Sequence, residues 1–155
     1  MAIKSFRGPS SKNLNKKIYQ NILVKDHMSN DVITFKKDDY IFDVMKILTE
    51  NKISGAPVLS KSGKLVGMIS ETDIMKTIID SQYYNMPINK KKVSYYMTDY
   101  VDYISPNNTI FEIASKFITH KRRRFPVVNN GKLIGIISKI DLINASLTLK
   151  STNYN

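Results

Sequence analysis

The chain contains no cysteine. That excludes disulfides, thiolate chemistry and zinc sites built on cysteine, and fits a reducing compartment. It has no run of about 18 apolar residues that could span a bilayer. The start, Met1-Ala2-Ile3-Lys4-Ser5-Phe6-Arg7, lacks the apolar core of a signal peptide. These absences predict a soluble, cytoplasmic protein with no membrane partner. His27 and His120 are the only histidines, and no carboxylate cluster at metal-ligand spacing accompanies either. No phosphate-cradling Gly-x-x-x-x-Gly-Lys-Ser/Thr loop, Gly-x-Ser-x-Gly elbow or His-Glu-x-x-His pair occurs. The expectation is no metal, no catalytic residue and no enzyme.

Acidic residues are scarce as well: 13 Asp and Glu stand against 24 Lys and Arg, a formal charge of +11. Such a surplus attracts phosphate in nucleotides, nucleic acids or lipid headgroups without choosing among them. Residues 1–21 form a basic arm, with no acid before Asp26; Leu14, Ile18 and Ile22 recur in steps of four and predict a short docked helix over 13–22. Tyr83, Tyr84, Tyr95, Tyr96, Tyr100 and Tyr103 crowd the middle of the chain. Aromatics interleaved with cations can stack single-stranded nucleic acid, which is the alternative function for this sequence. More often such residues cover helices and interfaces.

What is present is a repeat. A shift of 69 residues lays Val24 on Val93, Met28 on Met97, Val32 on Val101, Ile41-Phe42 on Ile110-Phe111, Lys52 on Lys121 and Pro57-Val58 on Pro126-Val127. After one deletion the shift is 68, and Gly63-Lys64-Leu65, Gly67, Ile69, Ser70 and Asp73 meet Gly131-Lys132-Leu133, Gly135, Ile137, Ser138 and Asp141. Fifteen identities in order with one gap establish a tandem duplication. The division is a first repeat at 22–80, a linker at 81–92 that Pro87 and Lys90-Lys91-Lys92 suit to an exposed crossing, a second repeat at 93–149 and a tail at 150–155.

Each repeat predicts β-α-β-β-α. Val32-Ile33-Thr34-Phe35 is β-prone, Asp38-Asp39 can cap a helix, and Ile41, Val44, Met45 and Leu48 mark one helical face, as Ile110, Ile113, Ala114 and Phe117 do in the second copy. Two strands follow around Lys61-Ser62-Gly63 or around Asn129-Asn130-Gly131, whose Asn-Gly is a strong hairpin signal. A second helix starts at Ser70 or Ser138. A unit of this size cannot bury both faces of its sheet alone. The expected architecture is therefore α/β of the α+β kind, two repeats packed sheet against sheet about a pseudo-twofold axis with crevices between them.

The segments Gly67-Met68-Ile69-Ser70-Glu71-Thr72-Asp73 and Gly135-Ile136-Ile137-Ser138-Lys139-Ile140-Asp141 carry the chemistry. A carboxylate can accept both hydroxyls of a ribose in charge-assisted bonds, a role open to Asp141 and Asp73. Ser138 and Ser70 fall where helices begin, so their hydroxyls and neighbouring N–H groups predict an anion site built from backbone. Ser-x-x-Asp is equally a capping-box variant that needs no ligand, and both roles can coexist.

Taken with Asp26-His27-Met28-Ser29, Tyr95-Tyr96-Met97-Thr98, Ile53-Ser54-Gly55-Ala56-Pro57-Val58 and Arg123-Arg124-Phe125-Pro126-Val127-Val128, these segments resemble a tandem pair of cystathionine-β-synthase (CBS) domains, a Bateman module, over residues 22 to about 147. The resemblance implies a regulatory sensor. It binds AMP, ADP or ATP, or an adenosyl compound such as S-adenosylmethionine or NADH, between the copies; it requires no cofactor, forms a homodimer through its helices and acts on an effector protein. It places adenine against Met28, Ile33, Ile53, Ser54 and Ile136 at the Asp141 site. It places phosphate on Arg123 and Arg124, by similarity to the nucleotide-sensing subunits of AMP-activated protein kinase. The mirror site, on Asp73 and Ser70 with Met68, Met97, Asp102 and Arg122, departs from the family pattern: Asp102 replaces an apolar residue and Gly55 an arginine. A carboxylate there repels phosphate, so this site is expected to be weaker or to prefer an uncharged adenosyl ligand.

Overall fold

The computed structural model describes residues 22–99 and 101–148. The basic arm with nearly all of its expected helix, Tyr100, and residues 149–155 lie outside the described residues. From the amino end, a 3-10 turn at Val24–Asp26 leads to β1 (Phe35–Lys36), α1 (Ile41–Glu50), β2 (Gly55–Leu59), β3 (Leu65–Ser70) and α2 (Glu71–Tyr84). A second 3-10 turn at Ile88–Lys90 precedes α3 (Val93–Tyr96), α4 (Ile110–His120), β4 (Arg124–Asn129), β5 (Lys132–Ser138) and α5 (Lys139–Leu147).

The expected helical faces are the buried ones: Ile41, Val44 and Leu48 on α1 and Ile110, Ile113 and Phe117 on α4. The Asn-Gly hairpin forms with φ of 50° at Asn130 and 77° at Gly131, the left-handed pair that a tight turn between twisted strands needs. Capping differs between the copies. Thr109 and Glu112 close a capping box on α4, and the backbone N–H of Thr109 above all holds the Glu112 carboxyl below its ordinary pKa. Helix α1 starts at Tyr40 without a side-chain cap, because Asp39 accepts instead from the Lys36 N–H at 2.7 Å.

The first repeat has a three-stranded sheet in which β1 runs parallel to β2 and β2 antiparallel to β3. The second has only β4 and β5; its opening strand shrinks to a single bridge from Ile104 to Val127. Pro106 stands where the first repeat has Lys37, and without an N–H it cannot extend that ladder.

The bridges between repeats reveal the symmetry. Leu23 pairs with Thr109 and Tyr40 with Lys92; Ser29 pairs with Ile136 and Met68 with Thr98. The repeat shift turns each pairing into its mate, as a pseudo-twofold axis requires. Lys64 pairs with Lys132, its own equivalent, and so lies on that axis.

The leading segments are exchanged. Val24 is buried among Ile104, Ile110, Phe117 and Phe125 of the second repeat, while Val93 and Met97 are buried among Ile41, Val44 and Ile69 of the first. The linker is less exposed than its lysines suggest: Lys91 is 5% exposed, donates to Tyr96 Oη at 2.8 Å and lies over the Tyr96 ring.

Candidate functional site

The two Ser-Asp corners sit where β3 and β5 turn into helices. In the first, the N–H and hydroxyl of Ser70 both donate to Asp73 Oδ2, at 2.9 and 2.8 Å. In the second, Ser138 does the same to Asp141 Oδ2, at 2.7 and 2.6 Å, and the Asp141 N–H returns a bond to Ser138 Oγ at 3.4 Å. The next N–H of each helix is also engaged: Glu71 N donates to Ser54 O at 2.9 Å and Lys139 N to Arg123 O at 3.2 Å. The N–H groups of Ser70, Glu71, Ser138 and Lys139 thus close on the protein itself, which leaves fewer backbone donors for an anion at these corners.

The corners differ in their second carboxylate oxygen. Asp73 is 4% exposed and its Oδ1 faces Lys76 at 3.7 Å. Asp141 is half-buried, and among the described residues its Oδ1 has no hydrogen-bond or ion-pair partner. The residue lines a cleft.

Arg124 reaches across the pseudo-twofold axis to the carbonyl of Gly55, its own equivalent, at 3.2 Å and to Ser54 Oγ at 2.9 Å. A Cβ at Gly55 would meet Ile69 O at 2.8 Å and Ser70 Cα at 3.2 Å, both within its own repeat, so close strand packing requires glycine there. Arg124 Nε is buried without a partner. Burial pulls the guanidinium pKa down; Glu71 opposes this, Arg123 adds to it and Asp141 opposes it. The group keeps its charge at neutral pH.

Arg124 lines two clefts. One, of about 230 Å3, brings together Asp141, Ser138, Ile136, Ile33 and Ile53 with Ser29, Asp31 and Val32. The other, of about 290 Å3, brings together Asp73, Ser70, Met68, Asp102 and Arg122 with Glu71, Thr98 and Lys121. Ser54 and Arg123, expected with Asp141, line the Asp73 cleft instead. Ser54 turns toward Arg124, and Arg123 lies 3.8 Å from Glu71. Met28 and Met97 line neither cleft. The exchange of leading segments wedges them under Gly135 and Gly67, where a Cβ would come within 2.6 Å of Met28 Sδ and 3.0 Å of Met97 Sδ.

Asp102 is not a lone charge. His120 Nδ1 lies 2.9 Å and Lys116 Nζ 4.0 Å from its carboxylate, so the expectation that Asp102 repels phosphate meets a paired cluster. Asp31, Glu71 and Thr98 line the clefts without having been expected there. Thr98 was reachable, since it is the repeat equivalent of Ser29 in the other cleft. Asp31 and Glu71 carry no such signal. Among the described residues no group of three or more His, Cys, Asp or Glu could hold a metal ion, and no helix is long and apolar enough to cross a membrane.

The CBS-domain family model matches residues 24–80 and 93–148. The chain belongs to the CBS-domain family and carries two copies in tandem. It is 36% identical over 153 residues to the uncharacterised protein MJ1426 of Methanocaldococcus jannaschii, an alignment covering 80% of this chain and 90% of that one. Of several other curated relatives the chain spans between 15% and 61% of the length. Among solved structures it is similar to CBSX2 of Arabidopsis thaliana in complex with AMP, with TM-score 0.74 and 28% identity, covering 84% of this chain and 99% of that one. It is also similar to the CBS-domain pair of protein MJ0100 in complex with 5′-methylthioadenosine and S-adenosylmethionine, with TM-score 0.69 and 29% identity, covering 83% and 97%. The α+β architecture is common to these pairs.

Proposed function

We propose that this chain is a ligand-sensing regulatory module that binds an adenine nucleotide or adenosyl compound in the clefts between its repeats. The observation that carries the reading is the Asp141 corner: a capped helix start whose carboxylate lines an apolar slot walled by Ile33, Ile53 and Ile136, with Arg124 across it. A ribose on the carboxylate and a base in the slot match the first two of those surfaces, and Arg124 stands beside them. CBSX2 holds AMP and MJ0100 holds 5′-methylthioadenosine and S-adenosylmethionine, which supports adenosine as the common element. The repeats are taken as 22–80 and 93–149 joined by 81–92, and the chain acts in the cytoplasm without catalysis of its own.

A ligand touching both repeats favours one inter-repeat arrangement, and that bias is the output a partner reads. Helix α2 exposes Met75, Ile78, Ile79 and Tyr83 in one stripe, and α5 exposes Ile140, Ile143 and Leu147. Those stripes support a homodimer, with an effector protein as the further partner. Ile79→Glu combined with Ile143→Glu then shifts the sedimentation of the protein from dimer to monomer.

The adenine reading is tested by a thermal-shift screen against AMP, ADP, ATP, S-adenosylmethionine and NADH, since a ligand of the native state raises its melting temperature. Calorimetry on Asp73→Asn/Asp141→Asn follows. Loss of charge-assisted ribose bonds worth about 1.5–3 kcal/mol each weakens binding tenfold or more. Wild-type affinity in that variant removes the ribose assignment.

A further inference from the structure

Resting on the adenine reading, we infer that the two clefts divide their ligands by charge. The Asp73 cleft takes a phosphate-bearing adenosine, the Asp141 cleft takes an uncharged or cationic adenosyl compound, and Arg124 enforces the division. The two helix starts engage the same N–H groups within the protein, those of Ser70 and Glu71 and of Ser138 and Lys139, so backbone donors do not distinguish the clefts. Side-chain charge does. Beside Arg124 the Asp73 cleft carries Lys121, Arg122 and Arg123; of its three carboxylates, Asp73 faces Lys76, Asp102 lies 4.0 Å from Lys116 with His120 Nδ1 beside it, and Glu71 shares Arg123. Among the described residues lining the Asp141 cleft, Arg124 is the single cation, and Asp31 and Asp141 line the cleft with it.

The direction in which Arg124 is committed completes the argument. Its two terminal nitrogens donate to Ser54 Oγ and Gly55 O, neutral acceptors on the Asp73 side and the axis, while Nε is buried and unmatched. A phosphate in the Asp73 cleft replaces neutral acceptors by a doubly charged one and engages a fork already turned that way. The Asp141 cleft then keeps two carboxylates and no free cation. An anion is repelled there, and a neutral thioether or cationic sulfonium is favoured.

The test is calorimetry on the full chain with AMP alone, 5′-methylthioadenosine alone, and each titrated into protein saturated with the other. One equivalent of each is expected to bind, with neither displacing the other. Arg122→Ala/Arg123→Ala, two exposed positions, should weaken AMP about tenfold or more and 5′-methylthioadenosine by less than about twofold. Two equal AMP sites per chain, competition between the compounds, or equal losses in the variant overturn the division by charge while leaving the adenine reading standing. Silence from both compounds overturns that reading and the division with it.

Discussion

The first and second repeats share fifteen aligned identities and yet have become unlike where they face one another. One has Gly55, whose carbonyl accepts; the other has Arg124, whose guanidinium donates to it. One buries its acidic corner against Lys76, while the other leaves Asp141 Oδ1 without a partner among the described residues. Duplication makes a symmetric frame, and a glycine paired with its own arginine equivalent breaks that symmetry. The difference lets the pair present two chemically distinct clefts.

The largest test of this contrast lies in the core. Phe125 is 1% exposed and packs edge-on against Phe117 at 4.8 Å, whereas its repeat equivalent is Ala56. Phe125→Ala should cost about 3–5 kcal/mol in urea unfolding. A loss below about 1 kcal/mol would mean that the second repeat does not depend on this ring.

Next comes the axis. Arg124→Ala makes the two repeats alike at that position and should lower affinity for AMP tenfold or more, and far more than for adenosine. Equal losses for both ligands would assign Arg124 to the frame between repeats.

The corners follow. Asp73→Ala strips half-buried Ser70 of its carboxylate partner and should destabilise by about 1–2 kcal/mol. Asp141→Ala at the more open corner should cost less stability than Asp73→Ala. Identical unfolding midpoints for the two variants would erase the distinction between a closed and an open corner.

The smallest effect is the cap found only in the second repeat. The folded pKa of Glu112 lies below its ordinary value, so its contribution is present above the unfolded value of about 4.3 and is lost as pH falls through the folded one. The difference in melting temperature between wild type and Glu112→Gln should accordingly be full at neutral pH and vanish in acid. A difference that persists at low pH would assign the effect to something other than the carboxylate charge. The residue is solvent-exposed, so the effect is small and salt-sensitive.

The duplication, the buried faces of α1 and α4, the Asn-Gly turn and both Ser-Asp corners were legible because each is a local pattern of spacing and residue type. What spacing cannot show is which side of the axis a side chain enters. Repeat matching equates Gly55 with Arg124, but only the folded chain shows the guanidinium of one reaching the carbonyl of the other. Ser54 and Arg123 were assigned to the Asp141 cleft on likeness to the family, and a turn of the backbone at 54 and 123 sets them at its neighbour. Met28 and Met97 resembled a ligand wall; the exchange of leading segments, which depends on contacts about eighty residues away in sequence for Val24, makes them packing. Pro106 was visible in the sequence, and its missing N–H was a readable reason to shorten the second sheet.

The exchanged leading turns also mean that neither half is a separable unit. A fragment ending in the linker would lack the valine and methionine that plug its own interior and would carry, unhoused, the turn meant for its sister. The pair should melt in one cooperative transition.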